Sequence, residues 1–526
     1  MGFYSLHAYD ADVKIPEFRG LNQPDVSLNP DLRYASCEYN VETPHGVLQP
    51  QASFDVMQGG SFENRVETLA VLHRRWYTGQ GSSTWYIAAS GGKLYQKQKG
   101  QNTLWDEISL PQSVTAFQSN VWSYVTYEVT TLGVTVDVLL MSNPLDGMIM
   151  VTPPDRPSII NDYSAYTIQE LSTDTIQDLV SPRWTVQAVD TQGKKFGVIE
   201  RFGERIWGTA IPDEPDMLMY SAPYDPTDWE ANADIPEDGA GDILQPSWDG
   251  DKFYALRRFG DQLLAFKKNR VWRVMGVSPG EYVFSEQFGD GTEYFNTIAV
   301  APERVYMVGR NGPMTFDGMS TTPYAQDQIE ALWRTVNMNA LGQMCATLYK
   351  ERYYVAFPTG NSQVNNTMLV YNFDERTILL YTDCYVEAFL SSDEDLFATS
   401  STLPGQVIKI NYDSWECGKA YGNPCKWVTP WMDFGYEKIQ KGGFDLYFLP
   451  EVQEEAVSFT ISVETEKKKK TKVYTVQPSD KEHRMKKLHF GGSGRRFRVM
   501  IETDNGVTAP WRLIGGVQLI VETDPD

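Results

Sequence analysis

The side chains able to do chemistry are abundant but scattered. With 69 Asp and Glu among 526 residues, acidic pairs are inevitable, so only their spacing carries information. Asp249, Asp317 and Asp374 stand in the short patterns WDG, FDG and FDE. Hydrolysis of a glycosidic bond needs two or three carboxylates facing one another across the bond. Asp also favours tight bends, and a following Gly supplies positive φ, so the turn reading accounts for all three. The Asp-box pattern Ser-x-Asp-x-Gly-x-x-Trp is not matched. Ser247–Tyr254 comes nearest, with its Gly one position early and Tyr254 where Trp belongs. Leu145–Gly147 and the acidic Asp213–Asp216 offer oxygen donors of the kind calcium takes, but solvated turns explain them better. No nucleophile elbow, phosphate loop, HExxH or EF-hand loop occurs. The expectation is a non-enzyme with no catalytic residue, cofactor or metal.

Five Cys (Cys37, Cys345, Cys384, Cys417, Cys425) are irregularly spaced, odd in number and free of CxxC pairs. That suits free thiols in a chain made in a reducing cytosol. The five His do not cluster with them, as a zinc site would require. The N-terminal sequence lacks the basic start and apolar run of a signal peptide, and no stretch approaches the ~20 apolar residues of a membrane span.

One basic run stands out, Lys467, Lys468, Lys469, Lys470 and Lys472, between two alternating stretches. Arg495, Arg496 and Arg498 add positive charge nearby. The spacing predicts a hairpin tip or sheet edge. Lysines there either keep an open edge from aggregating or meet an acidic partner or DNA. The run lacks the interleaved aromatics that stack on single-stranded nucleic acid.

These residues must be held by strands. Short alternating runs bounded by Gly, Pro, Asn and Asp fill most of the chain. The best helical pattern is Asp327–Leu341, with Asp327 as a cap and Glu330 at the capping-box position. Seven strand-rich units recur at about 40–50 residues, the period of propeller blades: Ser83–Ile108, Trp122–Val151, Phe196–Glu230, Asp251–Gly276, Asn296–Tyr324, Met344–Tyr381 and Glu387–Trp415. A small antiparallel sheet cannot bury both faces alone, and radial stacking solves that. The expected fold is all-β, a propeller of six to eight degenerate blades over residues 61–425. Stacked sandwiches are the alternative. Residues 426–526 carry longer strands and read as a C-terminal β-sandwich, with Trp427–Tyr436 as the hinge. Residues 1–60 read as an extended N-terminal arm. Pro154–Thr191 fits neither pattern.

Several stretches together resemble phage tail nozzle proteins, the tail-hub or packaged-DNA stabilisation family of short-tailed phages. Glu303–Tyr381 carries a strand ending in Gly, a strand running into a DG turn, a short helix, a strand with a Tyr pair, and a strand ending near an aromatic. Phe259–Gly276 looks like the preceding blade. The close resembles the family too, in WVTPWMDFGYEKIQKGGFDLYF (Trp427–Phe448) followed by RRFRVMIE and WRLIGGVQLIVE. Phe18–Phe54 looks like its opening arm. TPYAQDQ departs from the Ser usual before the helix. The resemblance implies a virion structural protein made in the bacterial cytoplasm. It implies a homo-oligomer, typically a hexamer, below the portal and adaptor at one tail vertex. Packaged double-stranded DNA would be retained there and later ejected through its channel without sequence recognition. A host-surface or carbohydrate-binding tail-tip adhesin is the alternative function.

Charge bears on that channel. The net charge is −23, and its excess is uneven. Residues 426–526 hold 16 Lys and Arg against 15 Asp and Glu, and the rest of the chain holds 30 against 54. An acidic body does not gain affinity for DNA by counterion release. It either provides solubility or lines a passage that repels DNA, so that DNA slides without sticking. Six copies at −23 each would total −138.

Overall fold

A computed structural model describes residues 9–23, 31–57, 59–75, 82–101, 103–111, 113–131, 134–154, 184–392, 394–403, 405–433, 440–478 and 485–523. Most of Pro154–Thr191 and part of the Trp427–Tyr436 segment therefore lie outside the described residues. The body is a seven-bladed β-propeller. Its blades are antiparallel four-stranded sheets in chain order. Blade 1 spans 66–108, blade 2 spans 123–188, blade 3 spans 198–244, and blade 4 spans 253–287. Blade 5 spans 299–323 and blade 6 spans 345–382. Blade 7 takes three strands from 386–410 and a fourth, Phe54–Val56, from the N-terminal segment. The first strand of blade 7 packs against the first strand of blade 1, which closes the ring.

Blade strands are apolar on both faces because each blade is sandwiched between two others. Arg352–Phe357 is buried along its whole length. Its paired tyrosines point opposite ways. Tyr353 joins the core shared with blade 5, and Tyr354 joins the core shared with blade 7. A strict inside/outside alternation therefore does not mark these strands.

The helix is shorter than the periodicity suggests. It covers Gln326–Trp333, and a 3-10 turn follows at Met338–Gln343. Asp327 does not cap it. Ala325 occupies the cap position at φ 58° with no side-chain bond, and Asp327 sits within the first turn. There its carboxylate still faces the positive helix end. Trp333 and Ile329 anchor the helix between blades 5 and 6.

The C-terminal strands form a β-sandwich that the N-terminal segment completes. One sheet runs Tyr9–Ile15, Trp511–Thr523, Lys441–Val452, Lys486–Gly494. The other runs Lys469–Val476, Val457–Thr465, Phe497–Thr503, Lys426–Val428, Cys37–Tyr39. Trp427 is no hinge residue. It is fully buried, meets Phe18 edge-on at 4.9 Å between ring centres, and lies in a paired strand. Residues 19–50, which include the sandwich strand Cys37–Tyr39, seal the sandwich to blade 6. The Asn40 amide donates to the Leu380 carbonyl at 2.8 Å, and the Gln23 amide donates to that of Gln328 at 2.8 Å. Leu21 enters the core between blades 5 and 6. Gly20 passes so close to blade 6 that an added Cβ would lie 2.1 Å from the Ile378 carbonyl oxygen, so only Gly fits.

Glu38, on the arm strand Cys37–Tyr39, lies directly across from Trp427 and is 1% exposed. Burial pushes its carboxyl well above the usual carboxylate range, weakly opposed by the Leu21 amide. The folded chain thus holds this proton where the unfolded chain releases it. Stability from this group is full below the unfolded value of about 4.3 and falls as pH rises, by at most about 1.4 kcal/mol per pH unit. Glu38→Gln is expected to remove that fall and to raise the urea midpoint at pH 8 more than at pH 5. An equal effect at both pH values would mean that Glu38 is solvated.

Candidate functional site

The first strands of the blades surround a central channel, with a cavity of about 590 Å³ lined by residues of six blades and by Phe295, Asn296 and Ile298 just before blade 5. Its charged groups are balanced. Glu67, Glu200 and Glu387 face Arg201, Arg257 and Arg258. Glu200 lies 4.0 Å from Arg257, Glu387 lies 3.1 Å from Arg65, and Glu67 accepts from Asn120 at 2.9 Å. Burial raises the Glu200 carboxyl, with Arg257 opposing. Burial likewise raises Glu387. The Arg65 guanidinium opposes that shift, and the neighbouring Glu67 adds to it. The volume falls in the range of about 300–1,000 Å³ typical of small-molecule sites, far below what a DNA duplex occupies.

None of these channel residues stands out in a linear reading. A signal does exist. Blades 3 and 4 repeat a charged pair before Phe-Gly and an acid, as Glu200-Arg201-Phe202-Gly203-Glu204 and Arg257-Arg258-Phe259-Gly260-Asp261. That doublet lies just before the end of the innermost strand in each case, and both of its residues line the cavity.

The carboxylates singled out by their turns do not converge. Asp249 pairs with Arg270 at 2.8 Å, and Asp317 accepts the amides of Met319 and Ser320 at 3.0 and 2.9 Å. Asp374 lies beside Glu351, whose carboxyl it raises. Asp317 serves its own turn, and Asp249 and Asp374 each face a neighbouring loop of the same blade. The calcium candidates are also engaged. Asp146 accepts from the Gln118 and Ser119 amides and from the Asn143 side chain, while Glu214 pairs with Lys194 and Asp216 with Lys267.

The basic residues separate into groups. Lys467 and Lys468 occupy a turn, and Lys469–Val476 is the outermost strand of its sheet. Cross-strand register decides which side each lysine takes. A row crosses the sheet as Glu38, Trp427, Ile501, Ile461, Lys472, and all three central residues belong to the core. Lys472 therefore lies on the core-facing side of its strand, and so does Lys470 opposite Val463. Together with Lys467 and Lys468 they rim a cleft of about 660 Å³ over Phe444 and Phe490. Lys469 takes the other side and pairs with Glu502 at 3.7 Å. Arg498 is drawn away to Glu464 at 2.8 Å and to the Trp431 ring. The amides of Arg495 and Arg496 donate to Glu466 at 3.1 and 2.9 Å. The eight residues therefore make no single patch. Four lysines form a site, and the other four are structural or lie apart.

No family model and no curated protein matches the sequence. Solved structures similar in strand arrangement include the Neurospora crassa Pan2 WD40 domain. It has a TM-score of 0.35 and 10% identity, over 69% of this chain and 98% of that one. The Phanerochaete chrysosporium exo-β-1,3-galactanase with β-1,3-galactotriose scores 0.26 at 8% identity, covering 89% and 100%. With galactose it scores 0.25 at 9% identity, covering 90% and 96%. The likeness extends to β-rich architecture alone, and the propeller assignment rests on the seven sheets and their closure. Among the described residues, no helix is long and apolar enough to cross a membrane.

Proposed function

We propose that this chain is a structural subunit of a phage tail nozzle, a multi-copy ring that retains packaged DNA and guides its ejection. The observation that carries the reading is the ordered run Glu303–Tyr381. Its elements fall in the same order on blades 5 and 6, as Val305–Gly309, Gly312–Phe316, the helix Gln326–Trp333, Arg352–Phe357 with its Tyr pair, and Thr377–Thr382, with further strands between them. The uneven charge supports it as well. The arm and propeller carry the whole acidic excess, which suits a lumen wall between copies that repels DNA and lets it slide. The partners on this reading are further copies of the chain, typically six, and the portal and adaptor above them. The location is the virion tail after synthesis in the bacterial cytoplasm.

Virions of a phage that encodes the chain provide the test. Gold-labelled antibody is expected to mark one vertex per particle, and chemical cross-linking is expected to join the chain to the portal or adaptor. Purified particles without the chain would refute the reading. Label at the distal tip together with binding to isolated host glycan would replace it with the adhesin.

A further inference from the structure

The lysine-rimmed cleft lies between two strands that are both sheet edges. Lys469–Val476 ends one sheet of the sandwich and Lys486–Gly494 ends the other, so the core opens sideways between them. The far wall is bare backbone. Gly491 has nothing within 4 Å of the space a Cβ would fill, and at Gly492 only the Lys470 side chain comes that near. Among the described residues, the ammonium groups of Lys467, Lys468, Lys470 and Lys472 have no carboxylate partner. The strand edge beside them is unpaired. An apolar floor under four cations without a carboxylate partner, one of them (Lys472) 5.8 Å over the Phe490 ring, calls for an apolar group flanked by carboxylates.

The same chain carries such a group. Between the third and fourth strands of blade 3, residues 225–238 hold six Asp and Glu and no Lys or Arg. Ile235 stands at 50% exposure there, with Asp234 before it and Glu237 and Asp238 after it, all exposed. The loop is held in shape from below. The buried Arg205 donates to the carbonyls of Ser221, Glu237 and Gly239, and buried Trp229 packs on Phe196 at 4.8 Å. A loop anchored in this way loses little entropy on docking.

Within one molecule the two features cannot meet. The sandwich is sealed to blade 6 through residues 19–50, and in a seven-membered ring blades 2 and 3 lie on the opposite side. Cleft and loop at opposite ends of one body form a head-to-tail pair. Such heterologous contacts close into rings when the rotation allows. We propose that the lysine cleft receives the acidic loop around Ile235 of a second copy, with Ile235 over the apolar floor and its neighbouring carboxylates between the lysines. The inference rests on the multi-copy part of the nozzle reading and on none of its claims about DNA.

Charge reversal with mixing tests the contact. One variant carries Lys468→Glu, Lys470→Glu and Lys472→Glu, and the other carries Asp234→Lys, Glu237→Lys and Asp238→Lys. At a concentration where the unaltered chain assembles, each variant alone is expected to stay at the mass of one chain, 59.7 kDa. Each would then oppose like charges at the contact. An equimolar mixture is expected to regain the assembled mass, because each variant supplies the charge that the other lacks. That recovery also proves both variants folded. Variants that assemble singly as the unaltered chain does, or a mixture that remains monomeric, would overturn the contact. An unaltered chain that never assembles would overturn the multi-copy reading itself.

Discussion

Glu42→Gln is expected to cost about 3–5 kcal/mol of stability, the loss typical when one member of a buried ion pair is removed. Glu42 belongs to the N-terminal segment and Arg352 to the second strand of blade 6. Both side chains are 3% exposed, and they lie 3.4 Å apart. The Tyr381 hydroxyl donates to the same carboxylate at 2.7 Å, and the guanidinium sits 4.2 Å over the Tyr412 ring. Burial pushes the Glu42 carboxyl up, while Arg352 and then Tyr381 pull it back. Without the Glu42 charge, the guanidinium stays buried with only an aromatic face to compensate it. Tyr381→Phe removes one hydrogen bond to a charged acceptor, so its loss should be smaller, about 1.5–3 kcal/mol. Urea unfolding followed by tryptophan fluorescence measures both. A loss under about 1 kcal/mol for Glu42→Gln, the range of an exposed pair, would mean that water reaches this contact.

A chain that begins at Met57 is expected not to fold cooperatively. Without residues 1–56, blade 7 loses its fourth strand and both sandwich sheets lose an edge strand. Phe18, Val41 and Leu48 leave the sandwich core and Leu21 leaves the core between blades 5 and 6, each of the four being at most 1% exposed. Each such side chain contributes about 1.5–3 kcal/mol when fully buried. The four together approach the whole margin of about 5–15 kcal/mol that a domain has. Differential scanning calorimetry should find no sharp transition for the shortened chain. A transition within a few degrees of the full chain would show that the segment is an appendage and not part of the core.

These effects explain which parts of the fold are legible in the sequence. Turns with a physical signature stand out, as at Gly91–Gly92, where both residues take positive φ between two strands of blade 1. So do units whose strands follow one another closely, which is why blades 5 and 6 are readable from end to end. The opening strand of blade 1, Val66–Arg75, is separated by Gly79 and Gly81 from the unit that begins at Ser83, so it does not read as part of that unit. Lys486–Gly494 hides behind its glycines and charges. Phe54–Val56 has three residues with little burial, and only its partner about 350 positions away makes it a strand. Local pattern cannot announce a pairing that distant. Glu42 and Arg352 are opaque for the same reason, since neither looks buried until blade 6 is folded beside the N-terminal segment. The lysine edge is intermediate. Its charge between two alternating stretches marks an edge, but the side taken by Lys470 and Lys472 depends on register with Val463 and Ile461. Arg495, Arg496 and Arg498, close in sequence, are drawn away by Glu466 and Glu464.

On the proposed function, this propeller works as one of several identical subunits in a ring. Mass photometry of the purified full-length chain tests it most directly. The account predicts a closed species near six times 59.7 kDa, dispersed by high salt as charged contacts are screened. A chain that remains at 59.7 kDa across the accessible concentration range and binds isolated host glycan would contradict it.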